Sequence, residues 1–140
     1  MMLQSTMNKR KKIDLSSAPW TMHEFFAGSG LVAYGLKGMF APVWANDISE
    51  QKAAVYKANF VNNHFKLGDI KDVKGNELPF AHLSWASFPC QDLSLAGSIG
   101  GIHAERSGLV WEWLRVLDEM GQKPKILLLE NVAGLLSTHN

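Results

Sequence analysis

The feature that most constrains the fold is the regular alternation of short apolar segments with helix-like ones. The apolar segments are predicted strands, over residues 20–26, 43–46, a weaker segment that leads into Gly68, 82–87 and 125–129. Helix-like segments follow the first, second and fourth strands, and Ser49 has the position and chemistry of a helix N-cap. Strands that alternate with helices at this spacing predict an α/β fold with a doubly wound, mostly parallel sheet and right-handed crossovers.

Composition narrows the class of protein. The chain has 140 residues, 46% hydrophobic content and a net charge of +1, which predicts one globular domain without a strong basic field for nonspecific nucleic-acid binding. Its single cysteine and the lack of a long apolar segment favour a reducing, cytoplasmic setting, without a disulfide framework or a membrane span. The basic cluster at 9–12 predicts a flexible N-terminal tail over 1–18, and the domain is predicted over 19–140.

The first predicted strand is followed by a glycine turn. Residues 28–33 fit the pattern G-x-G-x-x-G/A, in which glycines let a cofactor approach the backbone. Asp47, at the tip of the second strand, can accept hydrogen bonds from ribose hydroxyls, so the combination predicts an adenosine cofactor, for which NAD is one candidate. Asp69 follows the third strand and could accept from an adenine amino group. The alternatives are a purely structural tight turn for the glycines and a solvated turn residue for Asp69.

The fourth and fifth predicted strands lead to residues that suit a reaction centre. Cys90, the only cysteine, lies in the segment Phe-Pro-Cys-Gln beyond the fourth strand, at the edge where open α/β sheets bind their ligands. Pro89 stiffens this segment, which would help to aim a nucleophilic thiol. Glu130 and Asn131 directly follow the fifth strand, at the same edge of the sheet. The alternatives are a small buried hydrophobe for Cys90 and helix-capping roles for the other two residues.

These segments together resemble the DNA cytosine-5 methyltransferases. The resemblance covers residues 22–137 and follows the family's motif order: Phe-Ala-Gly-Ser-Gly at 26–30, Asn-Asp at 46–47, Gly-Asp-Ile at 68–70, Ser-Phe-Pro-Cys-Gln at 87–91, Arg-Ser-Gly-Leu at 106–109 and Glu-Asn-Val at 130–132. It implies the Rossmann-like fold of S-adenosylmethionine-dependent methyltransferases, with strand order 3-2-1-4-5. Two positions depart from the family pattern: Glu24 stands where many members have Asp, and Ile48 where an aromatic residue is common.

The resemblance also implies a role for each site residue. The Cys90 thiolate would add to carbon 6 of a cytosine flipped out of duplex DNA, so that carbon 5 can take the methyl group of S-adenosylmethionine. Glu130 would contact ring nitrogen 3 and the exocyclic amine, and Asn131 would help to hold the loop that bears Cys90. The residues that the resemblance assigns to cofactor binding are Phe26, Gly28, Gly30, Leu31, Asp47, Ile48, Asp69, Ile70 and Leu109. No metal site is predicted.

The resemblance is to the N-terminal part of a catalytic domain, without the later strands or the target-recognition region. The fifth strand would then form an apolar sheet edge, incomplete on the C-terminal side, which normally invites association. We therefore expect a piece of a longer enzyme, or a subunit completed by a second polypeptide or by self-association through this edge, with double-stranded DNA as substrate. Three other hypotheses stay open: a truncated, noncatalytic S-adenosylmethionine-binding protein, an NAD-dependent oxidoreductase, and a methyltransferase that acts on RNA.

Overall fold

The computed structural model describes residues 10–61, 63–89 and 108–131. The centre of the molecule is a five-stranded sheet in the order β3-β2-β1-β4-β5, in which all neighbouring strands are parallel. The strands are β1 (Trp20–Phe25), β2 (Phe40–Asp47), β3 (Phe65–Leu67), β4 (Leu83–Ala86) and β5 (Ile126–Leu129). The helices are α1 (Leu31–Gly35), α2 (Glu50–Asn59) and α3 (Gly108–Glu119), and short 3₁₀ turns cover Ile70–Asp72 and Gly75–Glu77.

The predicted α/β class, the parallel sheet and the strand order 3-2-1-4-5 are confirmed. Ser49 is the N-cap of α2, where its hydroxyl oxygen accepts a hydrogen bond from the Lys52 backbone N–H at 3.3 Å. The helix therefore begins three residues beyond the end of β2, at the carboxyl edge of the sheet. This short connection places the first turn of α2 beside the strand tips, where ligands of open α/β sheets bind.

Strand β2 is longer than the sequence predicts, because it continues through a proline. It begins at Phe40 rather than at residue 43, and Pro42 lies inside it. The register with β1 shifts between Met22 and His23, which leaves Val43 as the extra residue of a bulge. A bulge accommodates the missing N–H of a proline, so the strand is not interrupted. The strands β4 and β5 are slightly shorter than predicted. Cys90, which is predicted to follow β4, lies outside the described residues.

Helices cover both faces of the sheet. Successive strand residues point to opposite faces, so Trp44 and Ala45 of β2 belong to two separate core clusters. On the first face, Trp113 of α3 packs in one cluster with Trp44 and with Phe25 of β1, and all three are buried. On the second face, Tyr56 of α2 is fully buried in the cluster that contains Ala45. The result is the three-layer arrangement of a doubly wound fold.

The segment before β1 is anchored on the face covered by α2. Ile13 pairs with Phe60 in an isolated parallel bridge, and its N–H donates to the Asn59 carbonyl at 2.8 Å. Leu15 is only 4% exposed and belongs to the same core cluster as Phe60. Within the tail predicted over 1–18, the apolar side chains of Ile13 and Leu15 therefore pack against the core, and the bounds of the tail and the domain stay a prediction. Residues 1–9 lie outside the described residues.

Strand β5 is the last strand of the sheet within the described ranges. Its residues Ile126, Leu127 and Leu129 are 50%, 54% and 37% exposed although they are apolar. Their side chains leave apolar surface in solvent on a strand whose outer edge has no partner among residues 10–61, 63–89 and 108–131. In that part of the chain, the apolar sheet edge expected from the sequence is present.

The described residues lack two kinds of feature. None of the helices among them is both long enough and apolar enough to cross a membrane. None of their His, Cys, Asp and Glu side chains form a group of three or more that could hold a metal ion.

Gly30 is the position at which the turn after β1 meets α2. Its φ of 87° lies in the left-handed region. A Cβ atom at this position would lie 2.5 Å from Phe60 Cε2 and 2.9 Å from the ring of Tyr56, closer than real Cβ atoms come to their neighbours. Both the conformation and the packing therefore require glycine.

We expect Gly30→Ala to lower the free energy of unfolding by more than about 2 kcal/mol, since left-handed strain costs roughly 1–2 kcal/mol and overpacking roughly 1–3 kcal/mol. Gly38→Ala is the matched control, because Gly38 has a φ of 86° but open space around its Cα. The control should lose only the strain component. Urea denaturation followed by tryptophan fluorescence measures both variants, and equal losses would contradict the close packing at Gly30.

Candidate functional site

The turn after β1 is tied to the tip of β2. Phe26 and Gly28 both have a φ of 56°, in the left-handed region. The Gly28 N–H donates to Asp47 Oδ2 at 2.8 Å, and the Ala27 N–H donates to the Asn46 carbonyl at 2.8 Å. These two bonds hold the glycine turn beside β2, so that the tips of two neighbouring strands meet at one place.

Asp47 also connects the glycine turn to the start of α2. Its Oδ1 accepts from the Ser49 N–H at 2.8 Å, while Oδ2 accepts from Gly28. The residue is 7% exposed. A carboxylate oxygen can accept more than one hydrogen bond, so ligand hydroxyls could still bind it. Asp47 therefore has a structural role in addition to the ribose contact that the sequence predicts.

Two adjoining cavities open at this edge of the sheet. The first, which we call the Asp47 cavity, has a volume of ≈ 290 Å³. The second, which we call the glycine-turn cavity, has a volume of ≈ 230 Å³. Among the residues that line the Asp47 cavity are Phe26, Asp47, Ile48, Asp69, Ile70 and Leu109. Among those that line the glycine-turn cavity are Glu24, Phe26, Gly28, Leu31, Lys52 and Ser87.

The cavities bring together every cofactor residue predicted from the sequence except Gly30. That glycine packs against the rings of Tyr56 and Phe60, at the C-terminal end of α2, and the cofactor contact predicted for it stays a prediction. Asp69 lines the Asp47 cavity and also caps the 3₁₀ turn that follows it, since its Oδ1 accepts from the Lys71 N–H at 2.9 Å. Asp69 can therefore be a turn residue and a cavity residue at the same time.

The walls of the Asp47 cavity suit an adenosine cofactor. Two acids from neighbouring strand tips, Asp47 and Asp69, can accept hydrogen bonds from hydroxyl and amino groups. Ile48, Ile70 and Leu109 add apolar surface of the kind that contacts a planar base. Ile48 is 67% exposed, so its side chain is available to a ligand.

Glu24 is a site residue that sequence reasoning recorded only as a departure from a pattern. It lines the glycine-turn cavity and is 1% exposed. Its Oε1 accepts from the Ala33 N–H at 3.3 Å, and its Oε2 has no hydrogen-bond partner within the described ranges. Burial raises the pKa of Glu24 to about 8; the Ala33 bond opposes this and the charge of Asp47 adds to it. The signal in the sequence was an acid inside a predicted, mostly apolar strand.

Lys52 and Ser87 are site residues that the sequence analysis did not select. Each lines both cavities. Ser87 directly follows β4, and Lys52 lies in the first turn of α2, three residues after its N-cap. That spacing after a strand tip was the available signal for Lys52, because a first-turn side chain lies near the carboxyl edge of the sheet.

The segments after β4 and β5 are joined by hydrogen bonds. The Glu130 N–H donates to the Ala86 carbonyl at 2.9 Å, which extends the pairing of the two strands by one residue. Asn131 Nδ2 donates to the Phe88 carbonyl at 3.4 Å. Glu130 is exposed at the same edge as the cavities. Because Phe88 is two residues before Cys90, the Asn131 contact connects β5 to the segment that leads to the only cysteine.

Comparison with known proteins identifies the family. A family model described as C-5 cytosine-specific DNA methylase matches residues 20–140. The chain belongs to the C-5 cytosine-specific DNA methylase family. The resemblance stated from the sequence motifs is thereby confirmed.

Individual relatives of the chain are methyltransferases as well. The chain is 36% identical over 118 residues to the Type II methyltransferase M.Bsp6I of Bacillus sp. (strain RFL6), covering 82% of this chain and 36% of that protein. It is 33% identical over 121 residues to the Type II methyltransferase M.BsuFI of Bacillus subtilis, covering 86% of this chain and 29% of that protein. The chain thus spans about a third of the length of these relatives.

A solved methyltransferase structure shares the fold. The crystal structure of the S. pombe Dnmt2 methyltransferase superimposes with a TM-score of 0.65 at 27% identity, covering 82% of this chain and 37% of that one. The predicted Rossmann-like methyltransferase fold is therefore confirmed for this member of the C-5 cytosine-specific family.

We expect the stability of the wild-type chain to fall relative to Glu24→Gln as the pH rises from about 5 to about 8. The folded state holds the Glu24 proton up to about pH 8, whereas an ordinary glutamate releases it near 4.5. In this window the folded state binds more protons than the unfolded state, so the free energy of unfolding falls by up to about 1.4 kcal/mol per pH unit.

Urea denaturation of the two proteins across this pH range measures the difference. Burial lowers the pKa of His23 and of His64, which gives a slope of the opposite sign. Both histidines are common to the two proteins, so their contribution cancels in the comparison. A difference that does not change with pH would mean that folded Glu24 is already ionised.

Proposed function

We propose that this chain carries the cofactor-binding and cytosine-adding residues of a DNA cytosine-5 methyltransferase. The observation that carries the proposal is the pair of adjoining cavities at the strand tips, which share Ser87 at the start of the segment leading to Cys90. Membership in the C-5 cytosine-specific DNA methylase family supports DNA as the substrate and carbon 5 of cytosine as the atom that is methylated. The names of the relatives, Type II methyltransferases, favour a role in restriction-modification.

The cofactor that fits this proposal is S-adenosylmethionine, with its adenosine in the Asp47 cavity. Asp47 would accept from the ribose hydroxyls and Asp69 from the adenine amino group, between the apolar side chains that line the same cavity. Phe26, Gly28 and Leu31 would surround the methionine part in the glycine-turn cavity. Gly30 would contact the same part through its backbone, and its lack of a side chain lets the turn pack against Tyr56 of α2.

The proposed chemistry starts at Cys90. Its thiolate would form a bond to carbon 6 of an extruded cytosine, which makes carbon 5 electron-rich. When bound, S-adenosylmethionine supplies the methyl group that carbon 5 accepts. Glu130 would hold a proton at ring nitrogen 3 while the thiolate adds, so that negative charge does not build up on the ring. Loss of the carbon 5 proton and departure of the thiolate would then restore the aromatic ring and the free cysteine.

Asn131 would position the nucleophile rather than react. Its side-chain amide donates to the carbonyl of Phe88, which supports the proposed role of holding the segment before Cys90. The exposed Glu130 carboxyl is its direct neighbour in sequence. One strand end would thus provide both the group that contacts the base and the group that restrains the nucleophile's segment.

We further propose that an additional strand pairs with β5. The apolar exposure of Ile126 and Leu127 supports this, as does the length of the relatives, of which the chain spans about a third. The strand would come from the remainder of a longer methyltransferase or from a separate polypeptide, and target recognition would lie in that part. Self-association through the same edge is the alternative, and light scattering distinguishes it.

Calorimetric titration of the 140-residue chain should show saturable binding of S-adenosylmethionine and no comparable binding of NAD. Asp69→Asn should weaken the binding about 5- to 30-fold. Its remaining oxygen can keep the hydrogen bond from the Lys71 N–H, so an amide NH2 group, a donor, would then face the adenine amino group. Its matched control is Asp72→Asn, which removes the same charge from the same 3₁₀ turn but lies outside the Asp47 cavity. Preference for NAD, or equal effects of the two variants, would contradict the proposed cofactor.

Covalent trapping tests the proposed nucleophile. We expect the chain, once supplied with the segments or second polypeptide that complete the sheet and read the DNA, to form a denaturation-resistant adduct with duplex DNA containing 5-fluorocytosine in the presence of S-adenosylmethionine. Fluorine replaces the carbon 5 proton whose loss would release the cysteine, so the thioether persists. Cys90→Ser should form none, and the same duplex with ordinary cytosine is the control. Cofactor binding without any adduct would favour the noncatalytic alternative, and trapping on an RNA oligonucleotide alone would favour RNA as substrate.

A further inference from the structure

Lys52 occupies the boundary between the two cavities. It lines both of them, together with Phe26 and Ser87. Its Cδ lies 3.8 Å from the position that a Cβ atom at Gly28 would occupy, so the aliphatic part of the side chain covers the glycine turn. The ammonium group is two bonds beyond Cδ. It is therefore near the turn in any rotamer that keeps this contact.

The glycine-turn cavity favours an anion. Its ionisable lining residues, within the described ranges, are Glu24 and Lys52. Since burial raises the pKa of Glu24 to about 8, that carboxyl is largely neutral at pH 7 and the charge of the lysine is not cancelled. The Asp47 cavity differs, because it is lined by the two acids Asp47 and Asp69 and by a second lysine, Lys71.

We propose that Lys52 binds the α-carboxylate of the amino-acid part of the cofactor, above the glycine turn. The inference rests on the proposed binding of S-adenosylmethionine, whose two ends differ in charge and would extend across the boundary that Lys52 forms. Adenosine would lie in the Asp47 cavity and the amino acid in the glycine-turn cavity. Lys52 thereby selects ligands that carry a carboxylate at this end, a specificity that the backbone of the turn alone would supply less strongly.

The selectivity can be measured with two ligands that differ only in the carboxylate. Calorimetry with S-adenosylmethionine and with its decarboxylated form, on the 140-residue chain, gives an affinity ratio for each protein. Lys52→Met should lower the affinity for S-adenosylmethionine about three- to tenfold and change the affinity for the decarboxylated ligand less than about twofold. The reason is that an ammonium group attracts a carboxylate by charge and hydrogen bonding. Lys52→Arg should keep most of the ratio.

Lys71→Met is the matched control, because it removes one positive charge from the Asp47 cavity instead. It should leave the affinity ratio of the two ligands unchanged. Both lysines are exposed, so neither substitution disturbs the core, and circular dichroism checks this. The comparison forms a cycle in which only an interaction between Lys52 and the carboxylate changes the ratio.

The outcomes separate this inference from the proposed function. If Lys52→Met affects both ligands equally, or changes the ratio no more than Lys71→Met, then Lys52 does not bind the carboxylate and the inference is overturned while cofactor binding stands. If the wild-type chain binds neither ligand, the proposed cofactor fails and the inference fails with it. A ratio lost in Lys52→Met and kept in Lys52→Arg supports it.

Discussion

The carboxylate of Asp47 holds together the two backbone segments on which the candidate site depends. Its oxygens accept hydrogen bonds from the N–H groups of Gly28 and Ser49, so one side chain restrains the turn after β1 and the start of α2. Hydrogen bonds to an ionised acceptor are stronger than those between neutral groups, which suits a link between loops. Both cavities lie beside this link, and Lys52 takes its position from the helix that begins there.

A second carboxyl group lies close enough to be affected by the first. The charge of Asp47 helps to raise the pKa of Glu24, although burial is the larger cause. Two ionised carboxylates that are both shielded from solvent would repel each other, and a neutral Glu24 avoids that repulsion. The neutral acid also leaves the glycine-turn cavity with the uncancelled charge of Lys52. The same burial that makes Glu24 hard to ionise thus shapes the charge offered to a ligand.

The uncovered edge of the sheet and the candidate reaction centre are physically connected. Strand β5 exposes apolar side chains along its length, and the residue two beyond its end, Asn131, contacts the carbonyl of Phe88. Any strand that pairs with β5 would lie on its side opposite β4, so β5 and Asn131 would stand between that strand and the segment that leads to Cys90. Covering the edge would restrict the motion of β5 and of Asn131 together. Under the proposed function, completion of the sheet and positioning of the nucleophile would be coupled through this one strand.

The sequence by itself determined the alternation of strands and helices, the order of the family motifs and local features such as the Ser49 cap, because these depend on residues that are neighbours in the chain. It also placed Asp47 at a strand tip. Only the tertiary structure decided that Gly30 packs against the rings of Tyr56 and Phe60, that Glu24 is buried without a partner for Oε2 within the described residues, and that Lys52 borders both cavities. Those properties depend on which distant segments meet and on how much water their contact excludes, and no local pattern encodes either.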